Sequence, residues 1–61
     1  MSETNQKLWP VRDVSDYLGF HAETIRQMAR DGRLPHIKLS NRLKFRPEHI
    51  EAWLRQREVP A

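Results

Sequence analysis

The sequence predicts a mainly α-helical fold of three short helices and one small two-stranded β-hairpin. Two kinds of periodicity and one set of breaks predict it. Apolar residues recur at helical spacing over residues 11–30 and again after residue 47, whereas residues 37–46 alternate apolar and polar as a strand does. Gly19, Gly32, Pro35 and Pro47 fall where one pattern gives way to the next.

Leu8 and Trp9 form the first apolar pair, and the residue before Pro10 is pushed toward extended geometry. From Val11 the pattern is helical. Val11, Val14 and Leu18 line one face, with Arg12, Asp13 and Asp16 on the other. Pro10 suits the first turn, and Gly19 stands where a positive φ commonly ends a helix. A second helix is expected from Ala22 to Arg30, with Ile25, Met28 and Ala29 as its stripe. Asp31-Gly32 closes it and Pro35 prevents resumption. In the hairpin, Leu39 facing Leu43 and Ile37 facing Phe45 leaves a three-residue loop, Ser40-Asn41-Arg42. Asn41 or a neighbour then takes the left-handed conformation. This register gives one apolar face and one basic face. Pro47 opens the third helix, with Glu48 and Glu51 early and Arg55 and Arg57 late, as the macrodipole favours. Ile50, Trp53 and Leu54 point inward, and Pro60 stops the helix. Trp9, Phe20, Phe45 and Trp53 are assigned to the core. Tyr17 sits at its edge with a hydroxyl able to reach outward.

The chain has 61 residues and no cysteine. One domain over residues 7–57 is expected, between a disordered arm at 1–6 and a frayed tail at 58–61. No disulfide framework or thiolate metal site is available. No apolar run approaches the ~18 residues of a membrane span, and the polar first residues do not read as a signal peptide. The expected location is inside the cell. The three histidines have no metal-ligand spacing and no nucleophile elbow occurs, so no cofactor, metal or catalysis is expected. So small a scaffold also argues against a supported catalytic pocket. Charge is unevenly placed. Residues 26–46 hold seven bases (Arg26, Arg30, Arg33, Lys38, Arg42, Lys44, Arg46) and one acid (Asp31), a net +6 in a chain whose total is +3. That fits a polyanion-binding face, or a solvated basic surface.

Only Gly19-Phe20-His21 joins the first two helices, which is helix-turn-helix spacing. Small Ser15 lies where the helices approach, Ile25 and Met28 where the second packs back, and Phe20 is expected to fill the space between. Helix-turn-helix followed by a basic hairpin is the winged-helix order, in which a recognition helix enters the major groove and the wing reaches backbone or minor groove. Opposite the apolar stripe of the second helix lie Glu23, Arg26, Gln27 and Arg30, with Thr24 at the edge. Arg26 and Gln27 are assigned to base edges, since Arg grips guanine and Gln adenine through paired bonds. Thr24, His21 and Arg30 are assigned to phosphate. In the wing, Lys38, Arg42 and Lys44 are expected outward with Asn41 at the tip, suited to a narrow minor groove. Arg46 can contact phosphate or cap the third helix, with the cap favoured.

From Leu8 to Leu54 the sequence resembles the excisionase-type winged helix-turn-helix domains, relatives of the MerR DNA-binding domain. The resemblance lies in Val11-Arg12-Asp13-Val14-Ser15-Asp16-Tyr17-Leu18-Gly19, in Thr24-Ile25 with Arg30-Asp31-Gly32-Arg33-Leu34-Pro35, in Ile37-Lys38-Leu39 with Arg42-Leu43-Lys44-Phe45-Arg46, and in Ile50-Glu51-Ala52-Trp53-Leu54. It departs at Pro10 and His21, where family members often carry a capping Ser or Thr, at Ser40, often Gly, and at Glu23, often basic. Glu23 can accept from a cytosine amine or pair with a neighbouring Arg. The resemblance implies a double-stranded DNA-binding excisionase, or recombination directionality factor. Such a protein binds several sites side by side with other copies of itself, bends the DNA and directs an integrase toward excision, in the cytoplasm and nucleoid of a bacterial or phage-infected cell. The end of the chain after the third helix, with no dimerisation coiled coil, favours this over the alternative, a small MerR-like transcription regulator. A protein–protein adaptor with a basic face is the third class.

Overall fold

The computed structural model describes residues 7–59. The expected arm at 1–6 and residues 60–61 of the expected tail lie outside them. The element order is β1 (Trp9–Pro10), α1 (Val11–Leu18), α2 (Ala22–Arg30), β2 (Ile37–Leu39), β3 (Arg42–Phe45) and α3 (Pro47–Arg55). It is the expected set of three helices and a hairpin, with a short extra strand. β1 adds to the hairpin as a third antiparallel strand, in the order β1-β3-β2, with Trp9 opposite Phe45 and Pro10 opposite Lys44. Pro10 is tolerated because β1 is an edge strand, and its extended backbone leads straight into α1.

Both helices of the first pair end on a glycine with positive φ, Gly19 at 79° and Gly32 at 75°. At the end of α1 the Gly19 and Phe20 amides donate to the Ser15 carbonyl at 2.8 and 3.2 Å. At the end of α2 the Arg33 amide donates to Met28 and the Gly32 amide to Ala29, the crossed pair of a Schellman ending. Among the described residues no side chain caps the N-terminus of α1, α2 or α3; Pro10, His21 and Arg46 occupy those positions. Arg46 caps α3 through its carbonyl, which accepts from His49 and Ile50. α3 ends at Arg55, before Pro60 is reached, because the Arg57 and Glu58 amides tighten onto the carbonyls three residues back.

The buried core is Val14, Ile25, Ala29, Leu34, Phe45 and Ile50, with Trp9, Val11, Leu18, Met28, Leu43 and Trp53 packed against it. Four core assignments change, Trp9 among them, since it is half-buried against the core. Phe20 is 43% exposed and Leu54 38% exposed, so neither fills the interior. What holds the α1–α2 turn is Ser15, whose hydroxyl donates to the Phe20 carbonyl. Trp53 is half-buried: its indole N–H donates to the Arg33 carbonyl at 2.9 Å and the Arg57 guanidinium lies 4.2 Å from its ring centre. Leu34, in the irregular segment after α2, is buried although no periodicity marks it.

Phe45→Ala is expected to leave the domain largely unfolded at 25 °C. Emptying a buried phenylalanine site costs about 3–5 kcal/mol, and a chain of this length has only roughly 3–9 kcal/mol in total. Thermal melting by circular dichroism checks this; a cooperative transition near the wild-type midpoint contradicts it.

Candidate nucleic-acid interface

The interface is built on α2 and the wing. Burial of Ile25 and Ala29 fixes the rotation of α2, so Glu23, Thr24, Arg26, Gln27 and Arg30 are all exposed on its outer side. His21 is exposed at the helix entrance and makes no side-chain cap bond, so its side chain satisfies none of the first-turn N–H groups.

The wing differs from its expected form. The pairs are Ile37 with Lys44, Lys38 with Leu43 and Leu39 with Arg42, so the loop has two residues, Ser40 and Asn41. The left-handed residue is Ser40, the neighbour of Asn41, with φ 54°. A positive φ at the first central position alone is the φ signature of a type II′ turn, whose twist suits a hairpin. The register is therefore shifted by one, and residues directly opposite share a face. Lys38 lies on the face of Leu43 and Phe45; Arg42 and Lys44 lie on the other with Ile37 and Leu39. The expected division into an apolar and a basic face is overturned. Leu39, assigned to the apolar face, is 48% exposed among bases.

This shift organises the site. A cleft of about 340 Å³ brings Arg26 of α2 together with Asn41, Arg42 and Lys44 of the wing, over Pro10, Val11 and Leu43. A second, of about 440 Å³, brings Arg30 together with Lys38 and His36, over Ala29, Gly32 and Leu43. Leu43 lines both. The wing thus presents bases from both faces, and each set meets an arginine of α2, one helical turn apart. Lys44 is half-buried; the other nine of the ten residues singled out from the sequence are exposed. His36 was not singled out. Its Nδ1 donates to the Leu34 carbonyl at 3.0 Å, which orients the ring beside Arg30 and Lys38. No sequence signal marks it, since a lone histidine fits no motif.

The polar heads on α2 are paired with one another. Arg26 donates to Glu23 at 3.2 Å, Arg30 lies 3.7 Å from the same carboxylate, and the Gln27 amide donates to Asp31 at 3.2 Å. Of the two roles open to Glu23, pairing with neighbouring arginines is the one seen in the free protein. Among the described residues no cluster of His, Asp or Glu could hold a metal ion, and no helix is long and apolar enough to cross a membrane.

Two helices joined by a glycine turn, a basic hairpin beside the second helix and a short closing helix define a winged helix-turn-helix protein. The comparison with known families agrees: a family model described as "Helix-turn-helix domain" matches residues 11–58. The chain belongs to this excisionase-like family of DNA-binding helix-turn-helix domains. Among curated proteins and solved structures, nothing matches it.

Ser40→Gly is expected to stabilise the domain by about 0.5–1 kcal/mol. Relief of the left-handed penalty of about 1–2 kcal/mol outweighs the extra chain entropy of glycine, about 0.4–1 kcal/mol. Urea unfolding measures the change; equal or lower stability would mean that the turn imposes no strain on Ser40.

Proposed function

We propose that this protein is a non-catalytic excisionase: a sequence-specific binder of double-stranded DNA that bends its sites and directs an integrase toward excision, with copies side by side. The observation that carries the DNA-binding part is the pairing of α2 with the wing across two basic clefts, Arg26 with Arg42 and Lys44, and Arg30 with Lys38. Bases drawn from two elements onto one surface match a phosphate backbone that rises on either side of a groove.

In this reading α2 enters the major groove with its N-terminal half foremost. Arg26 grips guanine, exchanging its carboxylate partner for two base acceptors, and Gln27 grips adenine, donating to N7 and accepting from the N6 amine in place of its bond to Asp31. The uncapped N–H groups of the first turn face phosphate, with His21 and Thr24 beside them. Arg30 meets phosphate at the groove's exit. The wing lays Asn41 and Arg42 in the adjacent minor groove, with Lys38 and Lys44 on the flanking backbones. A genomic footprint tests the biological role. Sites beside an integration junction support excision; sites confined to promoters would make the protein a transcription regulator of the same fold.

Affinity for duplex DNA is expected to fall steeply with salt, with a slope of log K against log salt of roughly −4 to −6 for five to seven phosphate contacts. A slope shallower than about −2 contradicts phosphate-dominated binding, and no duplex binding at low salt would favour the adaptor class.

Arg26→Ala and Gln27→Ala should each lose about 1–3 kcal/mol of discrimination between the preferred sequence and random DNA, with the fold intact because both side chains are exposed. Competition titrations separate the outcomes; equal losses on both DNAs would assign these residues to the backbone.

A further inference from the structure

Glu23 occupies a position that the DNA-binding reading leaves unexplained. It projects from the first turn of α2 amid the bases, on the surface assigned to a polyanion, where its carboxylate is repelled. It lies three residues before Arg26 and seven before Arg30, on one stripe of the helix, and its two oxygens are divided between them at 3.2 and 3.7 Å. One carboxylate therefore holds both the arginine assigned to a base edge and the arginine assigned to the backbone.

We propose that Glu23 is a specificity-determining residue: it competes with phosphate for Arg26 and Arg30, and so lowers affinity for random duplex more than for the preferred sequence. The inference rests on the DNA-binding reading of this surface. Phosphate and carboxylate are comparable acceptors for a guanidinium. Exchanging one for the other gains little and strands the freed carboxylate within a Debye length of the phosphates. On the preferred sequence two things change. The base edge offers Arg26 two acceptors at once, and a cytosine amine within reach can donate to the freed carboxylate. The repulsion is then offset only where the bases are right. Gln27 and Asp31 repeat the arrangement one turn on, with an amide in place of the guanidinium. The side chains of Glu23 and Arg26 are 74% and 48% exposed, so the pairing is weak and the effect is several-fold, not orders of magnitude.

The test is Glu23→Gln in the full chain, titrated by fluorescence anisotropy against a random-sequence duplex at 0.1 M salt. The expected affinity gain is about three- to tenfold, with a salt slope steeper by about one as a further base reaches phosphate. A single round of selection from a randomised duplex library should give weaker sequence enrichment than wild type. Glu51→Gln makes the same charge change on α3, outside both clefts, and should shift random-duplex affinity by less than about twofold. A melting midpoint close to wild type is expected for both. Unchanged or weakened random binding by Glu23→Gln, equal gains from the two variants, or undiminished enrichment would each overturn the proposal. Failure of the wild type to bind any duplex at low salt would instead bring down the DNA-binding reading itself.

Discussion

Phe45 has no exposed surface and sits on the middle strand of the sheet, in a core with Val14 of α1, Ile25 and Ala29 of α2, Leu34 of the connecting segment and Ile50 of α3. It is the one strand residue in that buried set. Side chains alternate along a strand, so driving Phe45 inward also turns Leu43 inward and sends Arg42 and Lys44 to the opposite face. The burial that closes the fold therefore decides which wing bases meet which cleft. Trp9 reinforces the choice from β1, opposite Phe45. With no disulfide and, among the described residues, only six fully buried apolar side chains, little else can substitute for this anchor.

The second consequence of so small a core is that the path from α2 to the wing must be tied locally. Gly32 reverses the chain, the Trp53 indole holds the Arg33 carbonyl, Leu34 is buried and His36 donates back to the Leu34 carbonyl. These are four attachments within five consecutive residues. They set the placement of β2 relative to α2 with backbone-directed bonds, where apolar area is scarce. Trp53 thus contributes a bond and a partly buried ring to the connection between α2 and the wing.

The helices were legible in the sequence because each buries a stripe at helical spacing and the first two end at a glycine whose positive φ the chain requires. The exposed face of α2 was legible for the same reason: once Ile25 and Ala29 are inside, Glu23, Arg26, Gln27 and Arg30 are outside. The wing's register was not. Alternation in two strands fixes which residues share a face within each strand, but not how the strands slide past each other. Pairing apolar with apolar asked for three loop residues. The turn forms instead at Ser40-Asn41, because β2 is an edge strand whose Leu39 is free to remain exposed. Its register follows the turn, not burial. Leu34 was hidden for a different reason, since an irregular segment has no period. Phe20 misled because its place beside Gly19 suggests packing, whereas its carbonyl, held by Ser15, is the part that matters.

Charge on α2 has to serve two states. In the free protein Arg26 and Arg30 lie one turn apart on α2, and their mutual repulsion acts against a marginal fold. Glu23 near the N-terminus relieves it by pairing with both, and Glu23 and Arg30 are ordered as the helix dipole favours. In the proposed complex the same carboxylate is the group that a DNA duplex displaces. In that complex bound phosphates replace it as counter-charge, so relief of the repulsion passes from the protein to its ligand, and binding adds to fold stability by mass action. On the proposed reading, α2 without Glu23 would be less selective on DNA. One exposed carboxylate, worth little to stability as a surface pair, bears on selectivity in that reading through the two arginines it holds.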